Sequence, residues 1–106
     1  MDIIFGCQKN DNEFGKLVNA EFENIETLEN FSFSGMEEFL IFLIPLTAVS
    51  VQIVDFIMTH IQTGKQKKEN EREDKNIGRV VIVKGKKYTF EGYTKDEVIE
   101  ILKELE

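Results

Sequence analysis

The feature that most constrains this chain is a long apolar run in its middle. Residues 39–58 read FLIFLIPLTAVSVQIVDFIM, in which Asp55 is the first charged residue. Just before the run, Ser34-Gly35-Met36-Glu37 matches the S-x-x-E capping box, which satisfies backbone donors at a helix start. The sequence therefore predicts one long apolar helix that is kinked at Pro45 and continues to near Gly64.

The two halves of this predicted helix differ in where polar residues fall. The second half has a polar strip opposite an apolar one, as on a helix that lies against a sheet. The first half, residues 39–46, has no polar strip, so it needs shielding from water on every side. A small sheet covers one side only, and we expect a second copy, a different protein or lipid to cover the rest.

A stripe with alternating spacings of three and four runs along the same predicted helix. This spacing is the one that places knobs into holes between paired helices. The stripe is the predicted interface with a protein partner or with a second copy in a homo-oligomer. The alternative is that it is simply the helix face turned to the sheet. Its members are Phe39, Phe42, Leu46, Val49, Ile53, Phe56 and His60.

Shorter elements surround the long helix, and together they predict a single α+β domain over residues 1–106. The order β-α-β-α-β-β-α gives a small sheet with one long central helix and two short ones. Residues 65–76 carry mixed charge and form either a linker or a helix extension. The other predicted elements are a strand over 2–7, a helix over about 11–22 that starts from Asn10, a strand over 25–33, a hairpin of 79–83 and 86–91 around Lys84-Gly85, and a last helix with a capping box at Thr94–Glu97.

A membrane span is the rival interpretation of the apolar run. The uncharged stretch, residues 39–54, is shorter than the about 20 residues that a bilayer core needs. Lysines follow the run at positions 65, 67 and 68, which would place the C-terminus inside. We expect a globular fold and keep a small membrane-anchored component as an alternative.

Charge narrows the class of partner. The chain carries 20 acidic and 13 basic side chains, a net charge of −7, and the excess acid lies in its N-terminal third. Binding to a nucleic-acid backbone needs clustered Lys and Arg, so we expect no nucleic-acid partner. An acidic neutralising protein is a further alternative: an immunity protein, an antitoxin or a nucleic-acid mimic that docks on a basic target.

The residue types that catalytic sites use are scarce. The chain has one histidine and one cysteine, and it shows no triad, zinc spacing or phosphate loop. We therefore predict a protein that is not an enzyme, with no catalytic, cofactor-binding or metal-binding residue. Cys7 is expected to be a small buried apolar residue. The lone cysteine and the absence of a secretory pattern at the start of the sequence predict a cytoplasmic setting, with membrane association as the alternative.

A group of capping and turn patterns resembles one known family. Ser34-Gly35 before a long apolar helix, a charged break, the hairpin RVVIVKGKKYTF, and Gly92-Tyr93-Thr94 before a short last helix are its marks. Over roughly residues 34–105 the chain resembles the effector-associated constant component type of small α+β domain of bacterial conflict systems. The resemblance implies a non-catalytic coupling role beside effectors and proteases in defence against phage, and it assigns no functional residue. The predicted function is therefore a non-enzymatic interaction or adaptor domain.

Overall fold

The structure, a computed structural model, describes residues 2–31, 39–62 and 78–105 of the chain. The described residues confirm the predicted α+β class, with a five-stranded sheet and three short helices. The predicted capping box at 34–37 and the charged segment 65–76 lie outside the described residues. In chain order the elements are β1 (Asp2–Gln8), α1 (Asn12–Glu21), β2 (Glu26–Phe31), β3 (Phe39–Pro45), α2 (Val51–His60), β4 (Val80–Val83), β5 (Lys86–Tyr88) and α3 (Lys95–Leu102), with a 3-10 turn over Lys103–Leu105.

The sheet has the strand order β2-β3-β1-β4-β5, and every neighbouring pair is antiparallel. Strand β1 therefore lies at the centre, and β2 and β5 form the two edges. Directly paired residues place their side chains on the same face of a sheet. One such row crosses all five strands through Thr27, Phe42, Phe5, Val81 and Tyr88.

All three helices bury their apolar residues on the face that carries this row. The buried residues of each helix belong to the same cluster as those of the strands. Aromatic rings fill its centre: Phe5 and Phe56 stack with their ring centroids 5.5 Å apart. Phe14 meets Phe42 edge to face, with centroids 5.7 Å apart. This first face is the main core of the domain.

The opposite face of the sheet carries a smaller apolar cluster. Ile41, Val80 and Ile82 are its buried members, and Ile4 packs against them. The described part of this cluster consists of strand residues only. Strands β3 and β4 are therefore apolar on both faces, which is why neither shows the alternation of apolar and polar residues that is typical of a half-exposed strand.

The prediction of one long apolar helix over residues 39–58 is wrong. The first half of the run is strand β3, and the helix α2 covers only Val51–His60. A strand buried on both faces reads as a continuous apolar run, so it resembles a helix that is apolar on every side. Pro45 ends the strand, where the missing N–H is tolerated, instead of kinking a helix. The element order consequently contains one more strand than predicted.

Helix α2 has its own start signal inside the apolar run. The Ser50 side chain accepts a hydrogen bond from the Ile53 backbone N–H at 3.4 Å, so Ser50 is the N-cap. Within the helix, the predicted polar strip is exposed and the predicted apolar strip is buried, as at Asp55 and Ile57. Ser50 therefore separates β3 from α2, whereas the sequence pattern predicts it inside one long helix.

The predicted C-terminal hairpin and last helix are confirmed, except that the second hairpin strand ends at Tyr88 and not at residue 91. Lys84 and Gly85 both have positive φ, as a two-residue hairpin turn of type I′ requires. The Thr94 hydroxyl accepts from the Glu97 N–H at 3.2 Å, and the Glu97 carboxylate accepts from the Thr94 N–H at 2.9 Å. At the other end of the chain, α1 starts one residue later than predicted, because the side chain that caps it belongs to Asp11 and not to Asn10.

Candidate interaction site

Strand β2 is an edge strand with an exposed apolar residue. Within the described residues, β2 pairs with β3 alone, through Glu26, Thr27 and Leu28, and the ladder shifts register before Phe31. Leu28 is 37% exposed, although it is a large apolar side chain. The outer side of an edge strand presents backbone N–H and C=O groups that can pair with a further strand. This edge is the first part of the candidate site.

An open groove of about 570 Å³ lies beside β2 on the helix-covered face. Helix α1 forms one wall, and side chains of β2 and β3 form the floor. The wall is mostly polar, whereas Phe42 and Leu40 give an apolar floor. The groove is lined by Asp11, Asn12, Gly15, Lys16, Asn19, Thr27, Leu40 and Phe42.

Gly15 lies in the α1 wall of this groove and adds no side chain to it. It lies inside α1, where a glycine costs about 0.5–1 kcal/mol relative to alanine. A Cβ atom at this position would lie 3.7 Å from Cζ of Phe42, which is ordinary van der Waals contact. Packing within the described chain therefore does not require a glycine. The lack of a side chain leaves room for a group that enters the groove.

An ion pair fixes the end of α1 that borders the groove. Arg79 is 3% exposed, and its Nε and Nη2 donate to the two carboxylate oxygens of Asp11 at 2.7 and 3.0 Å. Nη1 donates to the backbone oxygen of His60 at 3.0 Å, and the guanidinium lies 5.0 Å from the ring centroid of Phe14. Arg79 thus joins the starts of β4 and α1 to the end of α2.

The same contacts lower the pKa of the Asp11 carboxyl group and so favour its ionised form. Burial alone would raise the pKa of this carboxyl group, but hydrogen bonds from Arg79 and from the Phe14 backbone N–H outweigh it. The pKa of Asp11 is consequently lowered from its ordinary value of 3.8. Asp11 is therefore ionised at neutral pH and is held by Arg79 at the end of the groove.

The structure distributes the seven predicted interface residues over a strand, a loop and a helix. Phe39 and Phe42 lie in β3, Leu46 and Val49 lie in the connection to α2, and the other three lie in α2. They therefore do not form one helical stripe, because the helix that would carry it is absent from residues 39–45. The buried members are Phe42 at 2%, Ile53 at 0% and Phe56 at 6% exposure, and the half-buried ones are Leu46, Val49 and His60.

Cys7 is buried in the main core, as the sequence predicted. Burial, with a smaller effect of Asp11, raises the pKa of its thiol to about 12, and Arg79 opposes this only in part. The reactive thiolate is therefore scarce at neutral pH.

Asp55 and His60 each contact another side chain in the structure. Asp55 pairs with Lys95 at 3.0 Å, and the His60 ring packs on Phe56 with ring centroids 4.8 Å apart. Burial and the nearby Arg79 lower the pKa of His60 from 6.5, against the weaker effects of Glu21 and Glu13. Among residues 2–31, 39–62 and 78–105, no three His, Cys, Asp or Glu side chains are grouped to hold a metal ion.

A second, more polar cavity of about 620 Å³ lies at the end of β3. Glu21 and Glu23 line it and are exposed. Gln52 of α2 donates hydrogen bonds to the backbone oxygen and the carboxylate of Glu21, at 3.1 and 3.0 Å. This acidic surface is continuous in sequence with the start of β2.

Sequence reasoning predicted a strand over 25–33 but missed that it is an edge, and it missed the groove and the Asp11–Arg79 pair. The pair joins residues 68 positions apart, so no local pattern could indicate it. Gly15 did carry a signal, because an isolated glycine inside a helix costs about 1 kcal/mol relative to alanine.

Comparisons of the chain with protein-family models, curated proteins and solved structures found no match. In the part of the chain that the structure describes, none of the helices combines the length and the apolar character that crossing a membrane requires.

Proposed function

We propose that this chain is a protein-protein interaction domain that binds an extended segment of its partner along β2. The observation that carries this proposal is the outer edge of β2, which among the described residues pairs with β3 alone, with exposed Leu28, beside an apolar groove. In strand addition, backbone hydrogen bonds supply affinity and pockets for alternate side chains supply specificity. The β2 edge offers the backbone groups, and the groove offers such a pocket.

The contrast with the other edge of the sheet supports the choice of β2. Strand β5 carries exposed Lys86 and Lys87, and edge lysines are a common device against strand pairing. The regular part of β2 has no lysine, and its exposed side chains are Glu26, Thr27 and Leu28. One edge of the sheet is thus protected against a further strand and the other is suited to accept one.

This function keeps the predicted class, a non-enzymatic interaction or adaptor domain, and assigns its binding surface to a different element. Of the predicted interface residues, Phe42 remains part of the site as the floor of the groove. The role in a bacterial conflict or anti-phage system, which the family resemblance implies, stays a prediction, as does the cytoplasmic setting.

A second candidate function is the acidic neutralising protein. The observation that favours it is the exposed pair Glu21 and Glu23 around the polar cavity. The two candidates differ in their response to salt, because exposed charges are screened at high ionic strength and apolar contacts are not. Binding that survives 0.5 M salt favours strand addition, and binding that is lost favours the acidic surface.

A random heptapeptide library displayed on phage tests strand addition without knowledge of the natural partner. Peptides selected on the immobilised domain would be synthesised and titrated into isotope-labelled protein. We expect the largest amide shifts at Glu26, Thr27, Leu28 and Gly15. Leu28→Lys places a lysine on the open edge, and we expect it to weaken binding at least tenfold.

Val51→Lys is the matched control, because Val51 is the other large exposed apolar residue of the described chain and lies on α2. It should leave peptide affinity unchanged. Selected peptides that shift other surfaces, and that bind the Leu28→Lys variant as well as the wild type, would contradict the proposed function.

A further inference from the structure

We infer that the partner segment carries, in chain order, an apolar residue, a bulky apolar residue and a lysine or arginine. This inference rests on the proposed function and specifies its ligand. It follows from the faces on which three residues of β2 lie, since a strand added beside β2 must place its own side chains on the same two faces.

The register assigns each β2 residue to a face. Thr27 pairs with Phe42 and lies on the helix-covered face, at the floor of the groove. Glu26 and Leu28 lie on the opposite face, because successive side chains of a strand alternate. Leu28 pairs there with Ile41, a member of the second apolar cluster.

The groove selects the middle residue of the partner segment. The partner residue opposite Thr27 points to the helix-covered face, about 4.8 Å beyond β2. From there a long apolar side chain reaches over Thr27 toward Leu40 and Phe42, below the gap that Gly15 leaves in α1. Leucine, methionine or phenylalanine has the length for this position, and glycine leaves the groove empty.

Glu26 and Leu28 select the two flanking residues. Directly opposite cross-strand pairs are favourable between opposite charges and between apolar side chains, and unfavourable between like charges. The partner residue opposite Leu28 is therefore apolar, and the one opposite the exposed carboxylate of Glu26 is basic. The proposed strand is antiparallel to β2, like every strand pair of this sheet, and in that direction it meets Leu28 first and Glu26 last.

Charge argues against a second copy as the occupant. Two antiparallel β2 strands paired about Thr27 would place Leu28 of each copy opposite Glu26 of the other. The groove would then receive a threonine side chain, and the Glu26 carboxylate of each copy would face no basic residue. The chain also carries a net charge of −7, which makes two copies repel. The tripeptides of the chain that fit the pattern are Ile82-Val83-Lys84, at the end of β4, and Ile101-Leu102-Lys103, at the end of α3. Both belong to folded elements, which argues against either of them as the occupant. The proposed occupant is therefore a segment of a partner protein.

Three synthetic nine-residue peptides test the pattern. They share a serine-threonine background and differ in the central tripeptide, which is Val-Leu-Lys, Val-Leu-Glu or Val-Gly-Lys. We expect the Val-Leu-Lys peptide to bind at the β2 edge, the Val-Leu-Glu peptide to bind about fivefold more weakly or worse, and the Val-Gly-Lys peptide at least tenfold more weakly. Affinity is read by fluorescence anisotropy, and the site by amide shifts.

Two variants of the protein make the assignment specific. Glu26→Lys should reverse the preference, so that the Val-Leu-Glu peptide becomes the better ligand. Gly15→Leu should fill the groove and lower the affinity for Val-Leu-Lys at least fivefold, with little effect on Val-Gly-Lys. Ala20→Leu, on an exposed position of the same helix, is the matched control and should change neither affinity.

The outcomes separate this inference from the proposed function. If the three peptides bind with equal affinity and shift Glu26, Thr27 and Leu28, strand addition stands and the inferred pattern is wrong. If none of them shifts β2, both the pattern and the assignment of the site to this edge are wrong. A reversal of preference by Glu26→Lys, together with the loss in Gly15→Leu, establishes the pattern.

Discussion

Arg79 and Asp11 form a bidentate ion pair that ties the start of β4 to the start of α1. The arginine side chain is 4% exposed and the aspartate side chain 16% exposed, with 2.7 Å between Nε and Oδ2. Asp11 also accepts from the Phe14 N–H at 3.2 Å, so one carboxylate caps a helix and neutralises a buried guanidinium. Three elements that are distant in sequence depend on this contact, because Arg79 also binds the end of α2.

Removing the guanidinium should destabilise the domain strongly. Arg79→Met keeps most of the side-chain volume but leaves the Asp11 carboxylate without its cation. We expect a loss of about 3 kcal/mol in the free energy of unfolding. Urea denaturation followed by circular dichroism measures this loss as a lower midpoint with an unchanged slope.

The exposed pair of Asp55 and Lys95 is the control for this variant. Both side chains are more than half exposed, so the pair is screened by solvent. Asp55→Asn should change the unfolding free energy by less than about 1 kcal/mol. An equal loss in the two variants would show that the Asp11–Arg79 pair has no special role.

Stability should fall in two steps as the pH is lowered. The pKa of His60 is lowered in the folded state, so the unfolded chain takes up its proton first once the pH falls below about 6.5, and this uptake favours unfolding. The pKa of Asp11 is lowered as well, so its contribution is complete above 3.8 and is lost as the pH falls through the folded-state value. Unfolding curves between pH 8 and pH 3 measure both steps.

Two substitutions assign these steps to their residues. His60→Gln should remove the step below pH 6.5, and Asp11→Asn should remove the more acidic one. Steps that persist unchanged in the matching variant would refute the assignment.

Cys7 should resist thiol reagents in the folded protein. It is fully buried and its pKa is about 12, so both access and ionisation oppose the reaction. We expect a disulfide reagent at pH 8 to modify Cys7 at least about 100-fold more slowly in the native protein than in urea, because the native reaction waits for opening of the core. A cysteine at the exposed position of Ala20, in a Cys7→Ala background, should react rapidly without urea.

Gly15→Ala should raise the stability of the domain. Alanine is a better helix former, and its Cβ would make an ordinary contact with Phe42. The expected gain is roughly 0.5–1 kcal/mol in thermal or urea unfolding. Gly85→Ala is the opposite control, because Gly85 has a φ of 80° in the hairpin turn and alanine should destabilise it. A loss of stability in Gly15→Ala would mean that the glycine serves packing and not the groove.

Phe42 distinguishes the observed strand from the predicted helix. In the structure its ring is 2% exposed and packs on Phe14, so Phe42→Ala should cost about 3–5 kcal/mol. On a partner-facing helix the same substitution would change association and leave the stability of the monomer nearly unaltered. Leu46→Ala, at a half-buried position after the strand, should cost less than Phe42→Ala in the same urea assay.

The C-terminal third of the chain could be predicted because its signals are local. Lys84-Gly85 specifies a turn, and the side chains of Thr94 and Glu97 specify a helix start within four residues. Residues 39–45 carry no such signal, since they are apolar in every direction and periodicity does not separate a buried helix from a central strand. Only the pairing with β1, which lies more than thirty residues earlier, decides between them.

The candidate site could not be predicted for the same reason. The position of β2 at an edge follows from the order of all five strands. Two of the pairings in that order, β3–β1 and β1–β4, join parts of the chain that are distant in sequence. The charges of Glu26 and Lys86 were visible in the sequence, but the edge on which each lies was not.

The unlike edges of the sheet also set the stoichiometry of any complex. A protein whose sheet could pair at both edges could join copy to copy through these edges and grow into a filament. Here one edge carries Lys86 and Lys87 and the other carries Glu26, Thr27 and Leu28. If strand addition at β2 occurs as proposed, the lysines of β5 disfavour a second addition at that edge, and we expect one partner segment per domain.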